Sequence, residues 1–177
     1  MKYFRFVIIL CLMTLLSFPS LHAQEPAKRG VQIVPKAVPT LDSVYNQSYA
    51  VIIGISAYDK FPALEYALKD ARAIEQRLKF LGFQTTTLLD RQATRGNILK
   101  ILGDELPRKV QRNDRVIVFF AGHGRTEKTA AGKQMGYMVP VDADIRNVQS
   151  TAISMDQVRV FSRRLEAQHV LYLIDAG

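Results

Sequence analysis

Residues 115–124, RVIVFFAGHG, decide how the rest of the sequence is read. Val116 to Phe120 are apolar without interruption, as expected of a strand covered on both faces. The run leads into Ala121-Gly122-His123-Gly124, which sets an imidazole between two glycines where the strand ends. In open parallel sheets, sites form beyond the carboxyl ends of the strands. Glycine on either side of His123 lets backbone approach closely and admits positive φ, so the position suits a general acid or base. The competing reading is a histidine that only caps a strand end.

Outward from this stretch, strands and helices alternate. Residues 49–55 (YAVIIGI) form a similar apolar run and are predicted to be a second buried strand. Leu64, Ala67, Leu68, Ala71, Ile74, Leu78 and Leu81 recur at helical spacing, with Gly82 where a C-terminal cap belongs. Phe83 to Leu89 reads as a strand. Thr94 can cap a helix carrying Ile98, Leu99, Ile101, Leu102 and Leu106, with Pro107 near its end. After a polar loop comes a short extended piece, Tyr137 to Val139. Ser154-Met155-Asp156-Gln157 is a capping-box opening for a helix running to about Gln168. His169 to Asp175 (HVLYLID) is then the last strand. Alternating β and α elements imply right-handed crossovers, hence a three-layer α/β/α fold around a mostly parallel sheet. There is no internal repeat to suggest another architecture.

The N-terminal 23 residues stand apart. Lys2 and Arg5 precede an apolar run, Phe6 to Leu16, and Leu21-His22-Ala23 offers a small-residue exit, the layout of a secretory signal peptide. A membrane anchor is the competing reading, but the run is short for a bilayer and ends in Ser17, Pro19 and Ser20. The expectation is therefore an exported protein, periplasmic or extracellular, with no stable membrane association after cleavage. Residues 24–48, with Pro26, Pro35 and Pro39 and no sustained period, read as a linker, and the folded domain as residues 49–177. Cys11 is the one cysteine and lies inside the signal, so the mature chain would carry no thiol. Cleavage after Ala23 removes two of the 24 basic residues and none of the 16 acidic ones, leaving +6. The basic residues are scattered rather than interleaved with aromatics, which points to a solvated surface and not to nucleic-acid binding.

Two carboxylates also draw attention. Asp175 directly follows the last strand, where it could serve a site or cap a turn. Asp70 lies near the edge of its helix's apolar stripe, and its i±3 and i±4 neighbours are Tyr66, Ala67, Ala73 and Ile74, so no local cation pairs with it. A helix carboxylate of this kind is commonly just solvated. His169 has no partner at metal-ligand spacing and reads as a packed or surface residue. No G-x-G-x-x-G, Walker loop or G-x-S-x-G occurs, which argues against dinucleotide, nucleotide and α/β-hydrolase chemistry.

Taken in order, YAVIIGISAY, YALKDARAI, VIVFFAGHG, YMVPVDAD and VLYLIDA resemble the p20 region of bacterial caspase-like proteases and metacaspases, from about Tyr49 to Gly177. In caspases the histidine precedes the catalytic cysteine by about 50 residues, and here His123 stands 54 positions before residue 177. The resemblance implies a cysteine endopeptidase domain with His123 as base and the Gly124 N–H as oxyanion donor. The family's Asp-Ala-Cys is Asp175-Ala176-Gly177 in this chain, so glycine stands where the nucleophile belongs. Asp70 and Asp175 match the acidic pocket with which metacaspase-like members hold Arg or Lys, which makes a basic peptide the expected partner. Ala121 replaces the small polar residue that the family places two positions before the histidine. No cofactor is expected; calcium is implied by the resemblance alone, with no local ligand run to support it. The family's sheet continues for two more strands, so the chain reads as a partial domain. Its last strand would then be an open edge, a surface for aggregation or for a chain supplying the absent strands. The expectations are thus an inactive fragment of a basic-specific peptidase or, alternatively, a non-catalytic pseudoprotease or binding module for basic peptides.

Overall fold

The computed structural model describes residues 44–129 and 131–177. The proposed signal peptide, Cys11 and most of the proposed linker lie outside the described residues. In chain order the elements are β1 (Ser48–Gly54), α1 (Ala67–Phe80), β2 (Gln84–Leu89), α2 (Arg95–Lys100), α3 (Leu106–Lys109), β3 (Arg115–Gly122), β4 (Gly124–Lys128), β5 (Gln134–Met138), α4 (Val148–Thr151), β6 (Ile153–Ser154), α5 (Met155–Arg164) and β7 (His169–Ala176).

Four strands form a parallel sheet in the order β2-β1-β3-β7. Alternation along β1 explains why its sequence is apolar throughout. Val51 and Ile53 face a core built with α2, α3, the turn between them and α5 through Ile98, Leu102, Leu106, Val158 and Phe161. Ala50 and Ile52 face the other way, against Ala67, Ala71 and Leu78 of α1. Both faces are dry, so neither offers a place for a polar residue. The expected three-layer arrangement is present.

Local signals place several boundaries. Gly82 has φ 81° and its N–H bonds to the Lys79 carbonyl, closing α1 as expected of a C-terminal glycine. The Thr94 and Ser154 hydroxyls accept from the Asn97 and Gln157 amides and so open α2 and α5. The start of α1 is settled by a distant residue instead: the Ser56 hydroxyl accepts from the Leu68 amide. Between α2 and α3 the helix widens into a π-turn, Ile101–Glu105. Pro107, lacking an N–H, cannot bond the Gly103 carbonyl in α register, and the wide turn lies just before it.

Three expectations are corrected. The loop after β3 is no loop but an antiparallel ribbon, β4-β5-β6, of which the sequence showed only the Tyr137 to Val139 portion. Its strands are half-exposed and polar, so no apolar alternation marked them. Helix α5 stops at Arg164 rather than about Gln168, because Leu165 turns into the core at extended φ/ψ. The third correction concerns the glycines flanking His123, taken up below. Beyond these, backbone bonds from Asn46 to the Asn113 carbonyl and from Gln47 to the Asp114 carboxylate attach the residues just before β1 to the turn before β3.

Candidate active site

Strand register gathers the predicted residues at one end of the sheet. Gly54 pairs with Ala121, Ala121 with Asp175, and Gly122 with Ala176, so β1, β3 and β7 end side by side. All three are parallel, which makes this the carboxyl edge, where sites are expected.

His123 leaves β3 and is fixed from three directions. Its backbone N–H donates to the Tyr58 hydroxyl at 2.8 Å, and that hydroxyl donates to the Val139 carbonyl at 3.0 Å. Its ring packs against both Tyr58 and Phe61, with centroids 4.8 and 5.5 Å away. Nδ1 lies 3.0 Å from the Gly177 carbonyl oxygen and Nε2 2.8 Å from the Pro62 carbonyl oxygen. Both partners are acceptors, so a neutral imidazole donates to one of them at a time. Burial pushes the Tyr58 phenol well above the usual tyrosine range, against the opposing pull of the His123 amide. The hydroxyl therefore stays protonated and keeps both bonds.

The flanking glycines serve space rather than φ. Among the described residues only Gly82 and Gly132 are glycines at positive φ. A Cβ on Gly122 would lie 2.5 Å from the Tyr58 hydroxyl and 2.9 Å from Phe120, and one on Gly124 would lie 2.8 Å from the Ala176 methyl. Glycine here lets Tyr58 reach the His123 amide and lets the ribbon meet the tip of β7. The Gly124 N–H, expected to serve an oxyanion, points at the Gly177 carbonyl at 3.4 Å.

Asp70 and Asp175 come together. With Leu64, Glu65, Ala121, Gly122 and Gly177 they line a cavity of about 160 Å³. Asp70 reaches it from the first turn of α1, and Asp175 from the end of β7. Glu65 adds a third carboxylate that sequence reasoning missed, since it precedes the helix and belongs to no periodic pattern. Among the described residues, no lysine or arginine pairs with any of the three. Ala121 is buried at the cavity wall. Tyr58 was also missed: it stood within GISAY with nothing local to connect it to His123, 65 residues away. His169 lies apart, exposed and bonded to the Tyr45 hydroxyl.

Among the described residues, no three His, Cys, Asp or Glu side chains converge closely enough to hold a metal ion. No helix among the described residues is long and apolar enough to cross a membrane.

Comparison with known proteins agrees with this architecture. Residues 47–177 match a family model described as a caspase domain. A crystal structure of a Geobacter sulfurreducens protein superposes with a TM-score of 0.63 at 18% identity, covering 73% of this chain and 50% of that one. At that identity the likeness concerns the fold, and the chain spans half the length of that protein. No curated protein matches by sequence.

Proposed function

Because this chain belongs to the caspase-domain family, we propose that it represents the basic-specific branch of those cysteine endopeptidases, with the acidic cavity as the site for an Arg or Lys side chain. The observation that carries this reading is the meeting of Asp70 and Asp175 in one cavity, whose lining also includes Gly122, the residue before His123. Carboxylates without cationic partners form charge-assisted hydrogen bonds with a guanidinium or ammonium group, and they repel an aspartate side chain. With the basic side chain seated there, the following carbonyl comes to the tip of β7, between the His123 ring and the Gly124 amide.

The family's chemistry needs a thiol at that tip. Histidine takes its proton, the thiolate attacks the carbonyl, and backbone N–H groups hold the oxyanion. Position 177 is glycine, which offers no atom for this step. The chain as given is accordingly proposed to bind basic peptides without cleaving them. Export rests on the charged and apolar layout of residues 1–23 and belongs to the same proposal.

Calorimetry with acetyl-arginine amide and its norleucine counterpart tests the specificity. Binding of the arginyl ligand alone, weakened roughly tenfold or more by Asp70→Asn or Asp175→Asn, is expected for a lost charge-assisted bond. Equal binding of both ligands would refute the basic pocket. Turnover of an arginyl reporter by the chain as given, abolished by His123→Ala, would refute the inactivity.

A further inference from the structure

The segment that carries most of what touches His123 has no regular structure of its own. Between the end of β1 and the start of α1, residues 55–66 form neither helix nor strand. They bring the Tyr58 hydroxyl to the His123 amide, the Phe61 ring and the Pro62 carbonyl to its imidazole, and Leu64 and Glu65 to the acidic cavity. With no ladder of its own, such a stretch takes its order from side chains and neighbouring elements. Two bonds close it on itself: the Leu64 amide donates to the Ser56 carbonyl at 3.0 Å, and the Leu68 amide to the Ser56 hydroxyl at 3.0 Å. Both end at Ser56, so whatever holds Ser56 holds both ends of the segment.

Asp90 does so. One of its carboxylate oxygens accepts from the Ser56 amide at 2.8 Å and from the Ala57 amide at 3.0 Å. Asp90 directly follows β2, whose last residue, Leu89, pairs with Gly54 at the end of β1, so it stands at the same carboxyl edge of the sheet as His123. To take this place its backbone adopts φ 43°, and among the described residues it is the only non-glycine at positive φ. That left-handed conformation is costly for a residue with a Cβ, and Asp and Asn tolerate it best. Strain of this kind persists where the surrounding structure enforces it, and it gathers at functional sites. Glycine would make the turn without strain but would bring no acceptor. Two consecutive amides facing one anionic oxygen form charge-assisted bonds, stronger than neutral ones. The charge also reaches Tyr58: burial pushes its phenol up, the His123 amide opposes this, and the Asp90 carboxylate adds to the rise.

We propose that Asp90 is a positioning residue for this site: held in a left-handed turn at the end of β2, its carboxylate fixes Ser56 and Ala57 and thereby the Tyr58 hydroxyl that holds the His123 amide. This deepens the basic-peptide reading above, on which it rests for the role of His123 and of the acidic cavity. Asp90 itself lines no part of that cavity and acts through residues 56–58. The same anchor reaches the carboxylates, because the Ser56 hydroxyl bonds the first turn of α1, which carries Asp70. The relay thus runs from Asp90 through Ser56, Ala57 and Tyr58 to His123, with a branch from Ser56 to α1.

Amide hydrogen exchange at Ser56, Ala57 and His123 is read in the nitrogen-labelled full chain, with urea unfolding of every variant alongside. Asp90→Gly, which relieves the turn and removes the acceptor, should speed all three amides roughly tenfold or more, the scale of a lost bond to a charged group. Asp90→Asn, which tolerates the same φ and keeps a carbonyl acceptor, should hold them within about threefold of the unaltered chain. Tyr58→Phe should speed His123 and leave Ser56 and Ala57 protected, which gives the relay its direction. Thr94→Ala, which removes a cap from α2, should lower the urea midpoint without moving the three amides. Acetyl-arginine amide should bind Asp90→Gly more weakly than the unaltered chain and Asp90→Asn about as well. Unchanged His123 exchange in Asp90→Gly, or in Tyr58→Phe if the glycine variant does not fold, would overturn the inference. Equal acceleration in Thr94→Ala would overturn it too, by marking a general loss of stability. Equal binding of acetyl-arginine amide and its norleucine counterpart by the unaltered chain would refute the basic pocket alone, because the exchange comparison reads Asp90 without any ligand.

Discussion

Strands β3 and β7 are register partners of similar sequence and opposite circumstance. RVIVFFAG and HVLYLIDA pair residue for residue, yet Phe119 and Phe120 are 7% and 0% exposed whereas their partners Leu173 and Ile174 are 40% and 39% exposed. The apolar content of the two strands does not explain this. β3 has a strand on each side and helices over both faces, while β7, among the described residues, is bonded to β3 alone. Burial is a property of neighbours, and an apolar strand is only an offer of surface.

The sharpest way to break the comparison is to truncate both partners of one register pair. Phe120→Ala is expected to cost about 3–5 kcal/mol through lost burial and a residual cavity. Ile174→Ala should cost about 1 kcal/mol or less, since much of that side chain already meets water. Urea unfolding followed by circular dichroism measures both, and equal losses would show that β7 is covered in solution.

A smaller contrast lies at the strand ends, where Gly122 pairs with Ala176. Gly122→Ala should destabilise by about 1–3 kcal/mol, because the new methyl displaces the Tyr58 hydroxyl and Phe120. Ala176→Gly, at an exposed position, should change stability by about 0.5 kcal/mol. Thermal unfolding of the two variants orders them.

The smallest effect sharpens the comparison within β7. The Tyr172 hydroxyl is buried and has no hydrogen-bond partner among the described residues, and burial pushes its phenol up to about 12. Removing an unpaired buried hydroxyl is close to neutral, so Tyr172→Phe should leave stability at pH 7 unchanged or raise it by about 0.5–1 kcal/mol. The folded value lies above the unfolded value near 10, so the unfolded chain deprotonates first. Stability is thus intact below pH 10 and declines as the pH rises from 10 towards 12. Tyr172→Phe should lessen this alkaline loss without abolishing it, since Tyr58 is shifted in the same direction. Denaturant midpoints at pH 7, 10 and 11.5 decide the matter.

Where the sequence was legible, the signal was local. The apolar runs of β1, β3 and β7, the stripe on α1, and the caps at Thr94, Ser154 and Gly82 all lie within a few residues of what they organise. The ribbon β4-β5-β6 escaped because its exposed polar strands bury too little to leave a period. Tyr58 and Glu65 escaped for a related reason: each lies in the segment between β1 and α1, and its significance comes from residues dozens of positions away.

The amino-acid sequence by itself determined the order of the elements outside the ribbon, the parallel sheet, and the placing of His123 and Asp175 at strand ends, because side-chain period and capping act between near neighbours. Tertiary structure alone decided that Asp70 and Glu65 share a cavity with Asp175, that Tyr58 holds the His123 amide, and that the glycines around His123 supply room rather than φ. Those facts depend on which surfaces meet when the sheet closes against its helices, and packing of that kind follows from the whole chain rather than from any stretch of it.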